Sequence, residues 1–476
     1  MLVFVLAPIQ TYATEHTNIV IIYADDLGNG DLGCYGHPTF KTPRLDKLAE
    51  QGARLTQFYS SCPYCGPARG SLLTGRYPMR HGLVWNPAPD GPDKKRDEYG
   101  MDPSEITLAE VLKEKGYATA CIGKWHLGHK MQYRPLRQGF DEYVGILYSN
   151  DMRPVEVIEE DNVAENPDYQ AKLNQRYTDR AIEFVPRNKE KPFFLYLPHA
   201  MPHNPLAASE DFYKKTGTDL YGDVITELDH HIGRLIDALH ELELAERTLV
   251  FFTSDNGPWY GGSTGGLRGM KGRTWEGGIR VPLIVYQPGT IPAGVVSHEP
   301  AIIMDLFTTS IAATEAALPQ DRIIDGKNIL PLLTEKAKSP HEVLFSNSAD
   351  KVRSVRVGDW KLFVNSPGHY KEKHWKPDAG WIDAPAHDDV THIARCEHAT
   401  PSQYPGLLTG DDIETMGLFN LAEDPGEQKN VFDEHPDVVK RLQKHADEVL
   451  TSLKHSSSPG HCAPRMPISA PARQND

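Results

Sequence analysis

Basic residues are in short supply: 50 Lys and Arg face 65 Asp and Glu in a chain of 476 residues, for a formal net charge of −15. A phosphate backbone rewards clustered Lys and Arg and is repelled by a broadly acidic surface, which argues against a nucleic-acid partner. Any anionic substrate must be met by a local cationic pocket. Cysteine is also sparse. Cys34, Cys62, Cys65, Cys121, Cys396 and Cys462 are too few to build a disulfide scaffold at this length, so the fold must stand on its apolar core, with room for one or two bridges if the protein is exported. No apolar run after the first few residues is long enough to span a bilayer, and no internal repeat is visible.

Residues 1–13, MLVFVLAPIQTYA, contain an apolar stretch and a small residue at a cleavage-like position but lack a basic n-region. Two readings stand: a signal peptide, whole or shortened, which implies a periplasmic or secreted protein, or a disordered lead-in. Residues 1–17 are set apart on that account.

The length exceeds the roughly 100–200 residues of an average domain, which favours one large α/β domain with a smaller one attached. NIVIIY (18–23) is a short β-branched run that ends in Asp25, Asp26 and a glycine-rich stretch, the pattern of a buried strand delivering acids to a loop. The pattern returns at PFFLYLPH (192–199) and TLVFFTSDNG (248–257). Between these two, apolar residues at helical spacing predict an amphipathic helix over 223–239, with further helices over 43–51 and 108–115. Such alternation implies a large, mostly parallel or mixed sheet flanked by helices, with functional groups at the strand C-terminal ends. Beyond residue 333 the texture changes. SVRVGDWKLFV (354–364) and GLFNL (417–421) read as antiparallel strands and 437–453 as a closing helix, so a catalytic unit over 18–333, a smaller α+β unit over 334–455 and a mobile tail over 456–476 are expected.

Asp25 with Asp26, and Asp255 with Asn256, follow two of the strands. An adjacent acid pair is usually a turn former, but carboxylates and an amide oxygen gathered at neighbouring strand ends suit a hard cation, calcium or magnesium, rather than zinc.

CPYCGPARGSLLTGR (62–76) allows four readings. C-P-Y-C is a redox box, although its context is not that of a thioredoxin-like domain. A zinc site from Cys34, Cys62, Cys65 and Cys121 lacks a second C-x-x-C pair. A buried thiol beside a disulfide partner is the plain reading. The fourth is that Cys65, Pro67 and Arg69, followed by Leu72, Thr74, Gly75 and Arg76, resemble the sulfatase signature C-x-P-x-R with its downstream L-x-T-G-R.

The resemblance continues through ADDLGNGDLGCYG, GKWHLG (123–128), QGFDEYVGILYSND (138–151), PHAMPHNP (198–205), SDNGPW (254–259) and LRGMKGRTWEGGIRVP (267–282), in the family's order from about residue 18 to 333, with a weaker match at GLFNLAEDPGEQKN. It is nearest to the arylsulfatase type, within the alkaline phosphatase superfamily. It implies a sulfuric ester hydrolase in which a maturation enzyme converts Cys65 to formylglycine. Asp25, Asp26, Asp255 and Asn256 correspond to calcium ligands, completed by the modified Cys65 and the substrate sulfate. Arg69, Lys124, His126 and Lys271 correspond to groups around the nucleophile and sulfate, His203 to the proton donor for the leaving group, and Ser149 to a hydroxyl near the nucleophile. Ala68 departs from the commoner serine after Pro67, and the core pattern stays intact.

The residue types also make sense on their own. A sulfate monoester needs an in-line nucleophile, cations against its equatorial oxygens and an acid for the departing alkoxide. Lys124 and His126, two apart, would point the same way in an extended segment, and Arg69 lies one helical turn after Cys65. Taken singly, a Lys or Arg is usually solvated and a lone His usually structural. Rival readings are a phosphoester or phosphonate ester hydrolase of the same superfamily and an inactive carbohydrate-binding homologue. Two-zinc phosphatase chemistry would need more His and Asp ligands than Asp255-Asn256 offers. The stretch 366–411 supplies His369, Lys371, Lys373, His374, Trp375, Trp381 and Arg395 as contacts for a sulfated carbohydrate, or else forms a solvated loop.

Overall fold

The computed structural model describes residues 16–89, 99–152, 155–165, 170–259, 261–368, 383–385, 391–393 and 410–455. The expected lead-in over 1–13, the tail over 456–476, Cys396, Cys462 and the candidate contacts His369, Lys371, Lys373, His374, Trp375, Trp381 and Arg395 lie outside the described residues.

One large mixed sheet organises the chain. Its strands are β1 (Asn18–Ala24), β2 (Ala53–Tyr59), β3 (Ala118–Ile122), β4 (Glu142–Gly145), β5 (Val157–Glu159), β6 (Asn162–Glu165), β7 (Phe193–Pro198), β8 (Thr248–Ser254), β9 (Arg280–Tyr286), β10 (Val295–Ser297) and β11 (Ala301–Ile302). The spatial order is β10-β2-β9-β8-β1-β7-β3-β4-β5-β6, with β11 beside β2. The middle five, β8-β1-β7-β3-β4, are parallel, and antiparallel pairs occur only toward the two flanks.

Strand alternation explains the continuous apolar runs. Ile19, Ile21 and Tyr23 enter the core on one face of the sheet while Val20, Ile22 and Ala24 enter the core on the other, so every residue of β1 is buried. Helices cover both faces. The one predicted over 223–239 runs Leu220–Glu241, begun by Asp219, whose carboxylate accepts from Gly222 N at 2.9 Å. That over 43–51 is found as Pro43–Gln51, and that over 108–115 as Leu108–Glu114, where Thr107 and Glu110 form a reciprocal capping box.

Beyond the large sheet, β12 (Leu344–Ser348), β13 (Lys351–Val357) and β14 (Trp360–Phe363) continue the chain; β15 (Asp383–Pro385) pairs with β16 (Thr391–Ile393), and β17 (Gly417–Asn420) follows. β12-β13-β14-β17 form a separate antiparallel sheet, against which the closing helix Pro436–His455 packs. Its apolar residues Leu344, Val355, Leu362, Leu418 and Leu442 join the same core as Ile21 and Phe251. No helix among the described residues is long and apolar enough to cross a membrane.

Candidate active site

Five parallel neighbours end at one edge of the sheet, and each hands the chain to a loop there. β1 is followed by Asp25 and Asp26, β8 by Asp255 and Asn256, β3 by Lys124 and His126, β7 by His203, and β4 by Ser149. β2 runs in the same direction, being antiparallel to β9, which is antiparallel to β8. Its exit leads through Ser60 to the fully buried helix Cys65–Thr74, with Cys65 at the N-terminus. All of these residues are buried, and most of them meet one another at this edge of the sheet.

The acidic pair is held in a demanding geometry. Asp26 has φ 62°, a left-handed conformation that a residue with a Cβ adopts only when its surroundings impose it, at a cost on the order of 1–3 kcal/mol. Its backbone N–H donates to Asp255 Oδ1 at 3.1 Å. Its Oδ1 accepts from Asn256 Nδ2 at 2.7 Å and its Oδ2 from Lys271 Nζ at 2.8 Å. Asp25 Oδ2 accepts from Lys124 Nζ, while Asp25 Oδ1 and Asn256 Oδ1 are buried and accept no hydrogen bond. Burial, then the neighbouring Asp25 carboxylate, pushes Asp255 above the usual carboxylate range, with Arg69 opposing. For Asp25, burial works against the charge, but Lys124, His203, Arg69 and Lys271 outweigh it and hold the acid well below its ordinary value.

Crowded carboxylates with spare lone pairs are what a hard cation relieves. Asp25, Asp26, Cys65 and His203 bring ligand atoms within 4.8 Å of one another, the one such group among the described residues. That group joins two carboxylates to a thiol and an imidazole; with Asp255 and Asn256 alongside, the donors are mostly oxygen, two of them orphaned acceptors, which suits a hard cation. The four cysteines considered as a zinc site do not gather, and Cys62 and Cys65 are both free thiols rather than a disulfide.

Cys65 Sγ lies 4.0 Å from Asp26 Oδ1, and burial holds the thiol well above its usual pKa. One turn on, Arg69 is fully buried; Nη2 donates to Asp255 Oδ2 at 2.8 Å, Nη1 to Lys124 O at 2.8 Å, and Nη2 stands 3.5 Å from Asp25 Oδ1. Its guanidinium thus ties the helix to three strand exits.

Lys124 Nζ reaches Ser149 Oγ at 3.0 Å as well as Asp25. His126 differs from the extended reading of its segment: with φ 60° it is left-handed, so strand alternation is not what orients it. Its Nε2 is 3.2 Å from Pro87 O, which can only accept. The proton therefore sits on Nε2, and the buried Nδ1, without a hydrogen bond, is left as an acceptor. Burial, then Lys124 and Arg69, keeps this ring neutral.

The same reasoning fixes His203. Nδ1 is 2.5 Å from Asn204 O and must donate to it, which leaves Nε2, 3.6 Å from Asp26 Oδ2, as the nitrogen that gains or loses a proton. Ser149 Oγ lies 3.3 Å from the ring. Burial and then Lys271 lower the His203 pKa, against Asp26 and Asp25. Burial disfavours the Lys271 ammonium, but Asp26, Cys65, Asp25 and Asp255 override it and keep the charge.

Two supports were missed in the sequence. Ser60 Oγ donates to Asp255 O at 2.5 Å, a contact without any local signal. Asp31 accepts from Gly28 N at 2.5 Å, Ser263 N at 2.6 Å and Tyr221 OH at 2.7 Å, clamping the loop after β1; its place in ADDLGNGD was the available clue.

The chain is similar to known proteins over most of its length. Residues 17–316 match the sulfatase family and residues 339–471 the C-terminal region of aryl-sulfatase. Human arylsulfatase A is 37% identical over 468 residues, covering 90% of this chain and 86% of that protein. Human N-acetylgalactosamine-6-sulfatase is 36% identical over 450 residues, covering 87% and 81%. Among solved structures, a sulfatase from a Bacteroides thetaiotaomicron locus for the metabolism of multiple glycosaminoglycans superimposes with a TM-score of 0.75 at 26% identity, covering 92% of this chain and 100% of that one.

Proposed function

The chain belongs to the sulfatase family, and from that premise we propose that it releases inorganic sulfate from a sulfated carbohydrate or aryl sulfate, using a formylglycine made from Cys65 and a calcium ion held by Asp25, Asp26, Asp255 and Asn256. The observation that carries this reading is the meeting of Arg69, Lys124, Lys271 and His203 with the carboxylates of Asp255, Asp25 and Asp26 beside the buried Cys65, with His126 on the loop of Lys124. That is a site for a compact anion beside a nucleophile.

When present, calcium would polarise the sulfuryl oxygens, and a hydrated aldehyde at position 65 would supply one hydroxyl for attack and a second through which sulfate is expelled. The chain's own residues do the rest. Lys124 and Lys271 each face a carboxylate on one side and the pocket on the other, so their charges are fixed before the ester arrives and need no reorganisation. Arg69 keeps Asp255 oriented while closing the floor. His203, with Nδ1 committed to Asn204 O, presents Nε2 to the leaving oxygen. An incoming sulfate offsets the Lys271 charge that depresses this ring, which favours the protonated, donating form as substrate binds. His126 Nδ1, buried without a hydrogen bond, is a free acceptor on the loop that carries Lys124.

The similarity to N-acetylgalactosamine-6-sulfatase and to a sulfatase from a glycosaminoglycan locus supports a sugar substrate. A maturation enzyme is the transient partner, and a periplasmic or secreted location accords with a signal-like residues 1–13. A panel of sulfated mono- and oligosaccharides and aryl sulfates, assayed for sulfate release with calcium-loaded, Cys65-modified protein, tests the proposal. Turnover of phosphate or phosphonate esters with none of sulfate esters would overturn it.

A further inference from the structure

Lys271 is the site cation that no strand end delivers. It sits in the segment 267–279, whose contacts are divided between the loops of the large sheet and the C-terminal region that holds the smaller one. On the pocket side, Lys271 N donates to Pro258 O at 3.0 Å and Gly272 N to Pro63 O at 3.0 Å. On the other side, Lys361 of β14, 2% exposed, extends its ammonium into the segment and meets Thr274 O at 2.9 Å, Glu276 Oε1 at 3.0 Å and Glu427 Oε1 at 2.9 Å. The contacts to Thr274 and Glu276 are hydrogen bonds and that to Glu427 Oε1 is an ion pair. The second oxygen of Glu427 accepts from Glu276 N at 2.6 Å, and Glu276 Oε2 accepts from Tyr59 OH at 2.6 Å. Arg268, at the start of the segment, donates to the carbonyls of Asp411 and Glu427 at 2.9 Å and lies 3.8 Å over the Trp275 ring, which packs on Phe363 and Phe419.

Burying three charges in this way costs several kcal/mol per ion before their attraction returns it, and a well-packed apolar cluster would stabilise as much. Glu427 also carries φ 52°, a left-handed conformation unfavourable for glutamate. A strained, fully buried carboxylate whose two oxygens address one lysine and one backbone N–H beside the pocket is a device for fixing geometry.

The geometry points to Lys361 and Glu427 as positioning residues for catalysis: by clamping Thr274 and Glu276 they hold the segment that aims Lys271 at Asp26, so the small C-terminal sheet completes the sulfate pocket without touching substrate. This rests on the sulfate-binding role given to Lys271 above.

The test is a double-mutant cycle of Lys361→Met and Lys271→Ala, measured on a sulfate ester the parent enzyme turns over, with inorganic sulfate as competitive inhibitor. Lys361→Met is expected to raise KM and weaken sulfate inhibition about tenfold or more, yet to cost less than about twofold when Lys271 is already Ala, because the two changes remove one interaction. In the crystal structure of the variant the Lys271 Nζ to Asp26 Oδ2 contact, 2.8 Å in the parent, is lost. Should Lys361→Met fail to fold, Lys361→Met/Glu427→Gln removes the cation with one of its two carboxylates and leaves Glu276 to Arg280, 3.5 Å away. Additive losses in the cycle, or an unmoved Lys271, would overturn the positioning role while leaving the sulfatase reading intact. A parent that turns over no sulfate ester would strike that reading instead, and this role with it.

Discussion

Asp26 and Asp255 meet through a backbone N–H to carboxylate bond of 3.1 Å that closes 229 positions of chain, with Asp26 in a left-handed conformation. The fold crowds these carboxylates together, and burial, then the Asp25 charge, raises Asp255 above the usual carboxylate range.

Calcium is accordingly expected to stabilise as well as activate. Chelation should abolish turnover, and calcium at about 100 times its Kd should add about 2.7 kcal/mol to the unfolding free energy. Asp255→Asn should lose the calcium-dependent rise in Tm together with activity. A Tm indifferent to calcium in the parent would contradict the ligand assignment.

Replacing His203 by Ala should lower kcat/KM by about 10²–10⁴ for sugar sulfates, whose alkoxide leaves poorly, and far less for aryl sulfates with good leaving groups. Steady-state kinetics on both substrate types decide this, and equal losses would remove the proton-donor role.

Activity should scale with the fraction of Cys65 converted to formylglycine. Mass spectrometry of the peptide spanning Cys65, compared across preparations of differing activity, measures it. The unmodified thiol has no second hydroxyl with which to expel bound sulfate, so Cys65→Ser should fold and bind substrate without turning over. Multiple turnovers by wholly unmodified protein would refute the mechanism.

Two histidines away from the reacting groups set an acid limit. His81 is buried as a neutral ring, accepting from Leu83 N at Nδ1 and facing Ser71 Oγ with Nε2; burial and then Arg76 push its pKa down to about 3. His199 is pushed down to about 3 by burial and then His231. A depressed folded pKa means stability that is present above the unfolded value and lost as pH falls toward the folded one. From pH 7.5 to 5.0 each ring should remove about 2 kcal/mol. Asp31 and Asp229, both pushed up to about 7, act in the opposite sense, holding stability at low pH and losing it as pH rises through 7. The measurement is therefore a comparison: urea unfolding at the two pH values should show His81→Gln losing about 2 kcal/mol less than the parent.

Much of the layout was legible because burial on both faces leaves a mark. NIVIIY and TLVFFT are continuous apolar runs that only a covered sheet explains, and they pair in register, Ile21 beside Phe251. The acids directly after them could be located for the same reason. The antiparallel entry of β9 between β2 and β8 was not readable, since RVPLIVY is as apolar as its parallel neighbours and nothing local states direction. His126 could be found through GKWHLG but not its left-handed backbone, which packing imposes and side-chain type does not announce. Lys361 and Glu427 were invisible: isolated charges read as solvated, and their meeting depends on a pairing across the chain.

Cys65 is wholly shut in by the finished fold, and the shutting waits on chain that is synthesised much later. At the roughly 5–20 residues per second of ribosomal elongation, about 10 to 50 seconds separate the emergence of Asp26 from that of Asp255. Through most of that interval β1 has no β8 beside it, and Arg69 of the helix that begins at Cys65 has no Asp255 to meet. On the reading that Cys65 is modified, an enzyme that acts on the unfinished chain meets the thiol in that interval, before Asp255 and Lys271 have joined it.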